Sequence, residues 1–144
     1  VIDRTRFASE SGVARGAYSL NTIPNPDVIL IATGSEVSIT LEAAELLSAE
    51  GISARVVSAP CLEWFAAQDS SYRDSVLPSS VKARVSIEAG IAQGWREWIG
   101  DCGVAVSLEH FGASASAKVL FKEFGFTPEK IVDAAKASIA KARA

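Results

Sequence analysis

The sequence predicts an α/β fold: a three-layer α/β/α, Rossmann-like domain around an open, mostly parallel sheet of five strands. The run Val28–Ala32 has no polar alternation, which is typical of a strand buried on both faces. Four such core strands alternate with helical patterns, as expected for a parallel sheet covered by helices. A further short strand, residues 16–20, precedes Val28 by a connection too short for a crossover. We therefore expect that strand to pair antiparallel at the sheet edge.

Each element follows from local signals. Core strands are predicted at residues 28–32, 54–59, 83–88 and 104–108. Helical patterns follow at residues 63–68, 71–77, around 95–98, and at 117–124. The helix after the first core strand is predicted to begin at an N-cap, Ser35, and to end before Gly51 at the C′ position. Thr127 and Pro128 predict the start of the closing helix, with an N-cap followed by proline at the first helical position.

The chain length and composition indicate one globular domain. The 144 residues are 49% hydrophobic and 22% charged, which is enough apolar surface for one core. We expect the domain to cover residues 16–144. The polar residues 1–15 are predicted to be an extended or poorly ordered linker, or a remnant of the junction with a preceding domain.

Charge and cysteine usage exclude several classes of function. The net charge of −3, without a cluster of Lys and Arg, argues against a nucleic-acid partner. No segment has the length of a membrane span or the apolar core of a signal peptide, so we expect a soluble chain without a membrane partner. Cys61 and Cys102 match no metal spacing, and reduced thiols in the cytoplasm are expected.

A candidate ligand site lies where the core strands end, because open α/β sheets bind ligands at the carboxyl ends of their strands. The turn at Gly34 lacks the other glycines of a dinucleotide-binding loop and the lysine of a P-loop. An acid at Glu36 suits the helix dipole but repels a phosphate. A capped turn is therefore favoured over a phosphate site. The residues that could hold a small or regulatory ligand are Ser35, Glu36, Glu88 and His110.

Nucleophilic catalysis is a weaker alternative. His110, the one histidine of the sequence, follows a predicted strand directly and could activate Cys61 or Ser35. The sequence around Ser35 is G-S-E, however, and not the G-x-S-x-G of hydrolases. A distance from His110 to either nucleophile well beyond hydrogen-bond reach would exclude this hypothesis.

Aromatic residues indicate an interaction surface. Several of them stand at strand ends or three apart on a short helix, so not all can point into the core. Exposed aromatic side chains are typical of protein interfaces. The residues predicted to form a domain or subunit contact are Trp64, Phe65, Trp95, Trp98 and Phe111.

Five stretches resemble, in order and spacing, the C-terminal domain of transketolases, most closely those of actinobacteria. They are DVILIATGSEV (27–37), ARVVSAPCLEWF (54–65), YRDSVLP (72–78), ARVSIEAGIAQGW (83–95) and VSLEHFGASASAKVLFKEFGFT (106–127). The resemblance covers the chain from about Gly12 to its end. The glycine–serine–glutamate turn and the F-G-x-S-A segment carry most of its specificity.

The resemblance implies a part of an enzyme that transfers a ketol group between sugar phosphates of the pentose phosphate pathway. Thiamine diphosphate and Mg²⁺ belong to two preceding domains of such enzymes, which form the active site across a homodimer. The G-D-G metal-binding signature is absent from this sequence. We therefore expect no catalytic, cofactor-binding or metal-binding residue here. The expected role is structural, dimer-forming or regulatory; the alternative is a stand-alone small-ligand or nucleotide-binding module.

Overall fold

A computed structural model describes residues 10–21, 23–34, 36–88, 94–107 and 126–144. The strands are β1 (Tyr18–Ser19), β2 (Val28–Ala32), β3 (Ala54–Ser58), β4 (Arg84–Glu88) and β5 (Val104–Ser107). The helices are α1 (Glu36–Ala49), α2 (Leu62–Ala66), α3 (Ser70–Val76), α4 (Arg96–Ile99) and α5 (Pro128–Arg143). A 3-10 helix, Glu10–Arg15, precedes them. The helix predicted at residues 117–124 lies outside the described residues.

The five strands form one sheet in the order β1-β3-β2-β4-β5. Strands β3, β2, β4 and β5 are parallel, and β1 pairs antiparallel with β3, with Tyr18 opposite Ser58. The predicted fold class, including the antiparallel edge strand, is confirmed. Every residue of β2 and β3 is buried, as the unbroken apolar run of β2 indicated.

Helices cover both faces of the sheet. Helices α1 and α5 pack on one face, where Leu30, Leu47 and Ile131 belong to one apolar cluster. Helices α2, α3 and α4 cover the other, where Ile31 and Phe65 belong to a second cluster. None of the described helices is long and apolar enough to cross a membrane.

Two helix ends follow the local signals that predicted them. The Thr127 Oγ1 atom accepts a hydrogen bond from the Lys130 N–H at 3.2 Å, and Pro128 opens α5. Gly51, just past α1, has a φ of 79°, the left-handed conformation that favours glycine at a C′ position. The predicted N-cap, Ser35, lies outside the described residues.

The segment before β1 differs from the extended or poorly ordered linker expected there. Its described part includes the 3-10 helix, which contacts α2. The Arg15 guanidinium lies 4.6 Å from the centroid of the Tyr72 ring, and the Tyr72 hydroxyl donates to the Ala17 carbonyl at 2.7 Å. Burial raises the pKa of Tyr72, and the Arg15 charge opposes that rise. These contacts attach the entering chain to α3.

Two arginines stand in one row across the sheet. Arg55 on β3 and Arg84 on β4 are both register partners of Ile29. Their guanidinium groups donate to four successive carbonyls at the end of α3, those of residues 75–78. A helix C-terminus carries partial negative charge, so two cations there stabilise it. Burial lowers the pKa of both arginines, yet an arginine stays protonated at any physiological pH.

The opposite face of β4 is fixed by a buried serine of α5. The Ser138 hydroxyl accepts from the Arg84 N–H at 2.9 Å and lies 2.6 Å from the Cys102 carbonyl oxygen, to which it donates. It is fully buried. One hydroxyl therefore joins α5 to β4 and to the connection that leads into β5.

Replacing this serine is expected to destabilise the domain. Ser138→Ala leaves the Arg84 N–H and the Cys102 carbonyl without this partner, and a buried unpaired group of this kind costs about 1–3 kcal/mol. Urea unfolding measures the change, with Ser48→Ala, the same substitution at an exposed serine of α1, as control. Equal unfolding midpoints for the two variants would contradict the role of the Ser138 hydroxyl.

Candidate functional site

The order of the strands reverses its direction between β2 and β4. From β2 the chain continues to β3 on one side, and β4 then returns to the other side of β2. Open α/β sheets bind ligands in the crevice outside the carboxyl ends at such a point. Here the two strands stay paired to their ends, because the Thr33 N–H donates to the Ile87 carbonyl at 3.4 Å. The residues following Ala32 and Ile87 therefore border the candidate crevice.

The turn after β2 uses its own hydrogen-bond donors internally. The Glu36 N–H donates to the Thr33 carbonyl at 3.2 Å, and the Val37 N–H donates to the Gly34 carbonyl at 3.3 Å. Gly34 has a φ of 55°, which the turn requires. Free N–H groups at a helix start are what bind a phosphate. At this helix start, two of them are already engaged.

A carboxylate also lies against this turn. A Cβ atom on Gly34 would lie 3.6 Å from the Glu36 Oε2 atom, and the Glu36 residue is only 5% exposed. A buried carboxylate suits the positive end of α1 and repels an approaching anion. The described residues of this turn therefore do not fit the diphosphate of thiamine diphosphate. The sequence-based preference for a capped turn used this residue together with the missing glycines and the missing P-loop lysine.

Glu88, the last residue of β4, is oriented by a tryptophan. The Trp95 Nε1–H donates a hydrogen bond to the Glu88 Oε2 atom. Trp95 is 3% exposed, so the indole is held by packing and its donor has one direction. This contact fixes one oxygen of the carboxylate at the edge of the crevice. No sequence signal indicated it beyond a tryptophan's need for an acceptor when buried.

The four residues of the predicted ligand site are only partly described. Glu36 and Glu88 stand at the ends of neighbouring strands, whereas Ser35 and His110 lie outside the described residues. The proposed pairing of His110 with Cys61 or Ser35 stays a hypothesis for the same reason. Within the described ranges, no group of three or more His, Cys, Asp or Glu side chains is placed to hold a metal ion. Cys61 and Cys102 are both free thiols.

The predicted aromatic surface is smaller than the sequence indicated. Phe65 is fully buried and Trp95 is 3% exposed, so these two lie in the domain's own core and were wrongly placed in an exposed patch. Trp98 is half-buried, with its ring centroid 5.4 Å from that of Phe65. Trp64 on α2 is 55% exposed. Phe111 lies outside the described residues.

Most of the sequence matches the model of a known protein family. Residues 16–127 match the family model of the transketolase-like TK C-terminal domain. The sequence is 55% identical over 130 residues to the transketolase of Mycobacterium leprae (strain TN), an alignment that covers 87% of this chain and 19% of that protein.

Solved structures of transketolases also superimpose on this fold. The fold superimposes on transketolase from Leishmania mexicana with a TM-score of 0.84 and 42% identity, covering 93% of this chain and 19% of that one. A crystal structure of transketolase from Pichia stipitis in complex with sedoheptulose-7-phosphate gives a TM-score of 0.85 and 36% identity, covering 94% and 19%. This chain spans about a fifth of the length of these relatives.

Proposed function

This chain belongs to the transketolase C-terminal domain family, and from that premise we propose that it is a non-catalytic domain of a larger transketolase. The whole enzyme transfers a ketol group between sugar phosphates, and the Pichia stipitis relative was solved with such a sugar phosphate. In other domains of that enzyme, thiamine diphosphate would supply the carbon that carries the ketol group, and Mg²⁺ would anchor the diphosphate of the cofactor. This domain contributes packing, subunit contact or regulation. The enzyme acts in the cytoplasm and in the pentose phosphate pathway.

One observation carries the proposal of a non-catalytic role. At the crevice where this fold class binds phosphates, the first helical N–H groups are engaged within the turn and the Glu36 carboxylate lies beside Gly34. A site that grips an anion needs free donors and no adjacent negative charge. The described residues therefore place a crevice where this fold class binds ligands, but they do not provide the groups that bind an anion.

The chain on its own is expected to show no transketolase turnover. The reaction requires a bound diphosphate cofactor, and the described residues of the turn after β2 do not fit one. The assay supplies thiamine diphosphate, MgCl₂, a ketose phosphate donor and an aldose phosphate acceptor, and it follows the ketose and aldose products. A full-length transketolase serves as the positive control. Measurable turnover by the chain alone would refute the non-catalytic role.

The remaining part of the proposal is a contact role for the exposed tryptophan. Trp64 lies on α2, beside the 3-10 helix through which the chain enters the domain. A preceding domain of the same polypeptide, or a second subunit of a homodimer, would cover it. Large exposed aromatic side chains are the usual anchors of such interfaces.

Replacing Trp64 in a full-length transketolase that carries this domain is expected to weaken the assembly. Truncation of a buried interface tryptophan costs about 2 kcal/mol or more, so Trp64→Ser is expected to raise the dimer Kd or lower the Tm of the assembled enzyme. Leu46→Ser, at a 43% exposed leucine of α1, is the matched control. If both variants behave like the parent enzyme, Trp64 has no contact role.

A second function, that of a small-ligand module, is favoured by the hydrogen bond from Trp95 to Glu88. A carboxylate held in one orientation at the crevice is a feature of a ligand site as well as of a packed core. A thermal-shift screen of sugar phosphates and nucleotides tests it, since a ligand at 100 times its Kd stabilises the folded chain by about 2.7 kcal/mol. The absence of any shift favours the purely structural role.

A further inference from the structure

A large depression on the described surface lies between α3 and α4, on the face of the sheet away from α1 and α5. Its volume is about 650 Å³, within the range of about 300–1,000 Å³ that small-molecule sites have. Ser70, Ser71 and Asp74 line one wall, and Glu97 and Trp98 line the other. It lies at the amino-terminal end of β4, whereas the crevice described above lies at the carboxyl end.

One residue holds both walls of this depression in place. The Arg84 Nη1 atom donates to the Trp98 carbonyl of α4 at 2.7 Å. Its Nη2 atom donates to the Pro78 carbonyl at 2.9 Å and to the Leu77 carbonyl at 3.3 Å, just past α3. Because the floor residue joins α3 to α4, the depression is preformed and a ligand need not order it.

The lining carries hydrogen-bonding groups that the described part of the protein leaves available. Within the described ranges, the hydroxyls of Ser70, Ser71 and Ser79 have no side-chain hydrogen bond. Asp74 uses its Oδ1 atom to accept from the Ser79 N–H at 3.1 Å, and its Oδ2 atom has no described donor. Hydroxyls and carboxylates close together bind a ligand that both donates and accepts hydrogen bonds.

The charges of the lining residues and the Trp98 ring indicate which class of ligand the depression could bind. The charged residues that line the depression are two arginines and two acids, so together they carry no net charge: Arg73, Arg84, Asp74 and Glu97. This balance disfavours a simple anion. The partly exposed Trp98 indole provides an apolar ring at the wall. We propose that the depression between α3 and α4 is a binding site for a polyhydroxylated small molecule of the carbohydrate class, a free sugar or a sugar phosphate.

The three tryptophans give a direct test by NMR. The Trp98 indole N–H reports on this depression, that of Trp95 reports on the Glu88 crevice, and that of exposed Trp64 reports on neither. Glucose, glucose 6-phosphate and inorganic phosphate are titrated separately to about 10 mM, ten times a weak Kd of about 1 mM. We expect saturable shifts of the Trp98 signal with glucose or glucose 6-phosphate. Comparison of the Kd for glucose with the Kd for glucose 6-phosphate shows whether the phosphate group adds affinity.

Variants separate this site from unspecific binding. The double variant Ser71→Ala, Asp74→Asn is expected to weaken binding at least tenfold. Ser80→Ala, at an exposed serine of the connection after α3 that does not line the depression, is expected to leave the Kd unchanged. The circular dichroism spectrum of each variant verifies folding.

Several results would overturn the proposal. They are an unmoved Trp98 signal with both sugars, a shift that the double variant leaves unchanged, an equal shift at Trp64, and an equal response to inorganic phosphate alone. A shift confined to Trp95 would likewise refute it and would place the ligand in the Glu88 crevice. The outcome is independent of the turnover assay, because the proposed non-catalytic role does not depend on Ser71 or Asp74.

Discussion

Arg55→Met is expected to lower the free energy of unfolding by about 3–4 kcal/mol, among the largest effects of any single change in this domain. Arg55 is 7% exposed and donates to the carbonyls of Ile23, Pro24, Ser75 and Val76. Methionine retains the apolar stem but leaves these acceptors without the guanidinium. The connection before β2 and the end of α3 then lose their common donor.

Urea unfolding measures this effect, and an exposed arginine supplies the control. The side chain of Arg96 is 84% exposed, and its pair with Asp101 at 3.2 Å is on the surface. Exposed pairs of this kind contribute little to stability, so Arg96→Met is expected to leave the midpoint unchanged. Arg55→Lys is expected to fall in between, because one ammonium cannot reach both groups of carbonyls. A parent-like midpoint for Arg55→Met would show that the carbonyls find other partners.

Gly16→Ala is expected to destabilise the domain by about 3 kcal/mol or more, and to release the 3-10 helix from α2. A Cβ atom on Gly16 would lie 2.1 Å from the Cys61 carbonyl oxygen and 2.3 Å from the Phe65 nitrogen, so the backbone has to move. The φ of 86° adds left-handed strain. The hydrogen bond from the Cys61 N–H to the Gly16 carbonyl, 2.9 Å long, is expected to break.

A second glycine separates the clash from the strain. Gly51 has a φ of 79°, but a Cβ atom there would meet nothing within 4 Å. Gly51→Ala is therefore expected to cost only the left-handed penalty of about 1–2 kcal/mol. Urea unfolding compares the two, and hydrogen exchange of residues 12–18 reports on the released segment. Equal losses of unfolding free energy in the two variants would mean that the close approach of Gly16 to α2 adds nothing to the cost of the substitution.

The main elements of the fold were predictable because their signals are local. An apolar run of five residues specified β2, and Thr127 with Pro128 specified the start of α5. The 3-10 helix has no such signal. It depends on the backbone of Gly16 lying against α2 and on Tyr72, 55 positions after the carbonyl that its hydroxyl contacts. Contacts between segments so far apart in the chain produce no hydrophobic periodicity in either segment, so the sequence did not predict this helix.

The candidate site was predictable only in its position. The rule for open α/β sheets located the crevice, and Glu36 indicated a turn unsuited to phosphate. The indole of Trp95 was assigned to a surface because spacing on a short helix does not show which ring finds an acceptor. No role was predicted for Arg84, the second residue of the core strand expected at residues 83–88. Its side chain donates to backbone carbonyls of α4 and of the connection after α3. Every residue has a carbonyl, so the sequence does not show which ones an arginine will reach.

The central claim is that the turn after β2 has the position of an anion site without its binding groups. Titration of the ¹⁵N-labelled chain with thiamine diphosphate and MgCl₂ tests it most directly, through the backbone amide signals of Thr33, Gly34 and Glu36. We predict no saturable shift at these amides up to about 10 mM cofactor, ten times a weak Kd of about 1 mM. A saturable shift of the Gly34 amide would contradict the account.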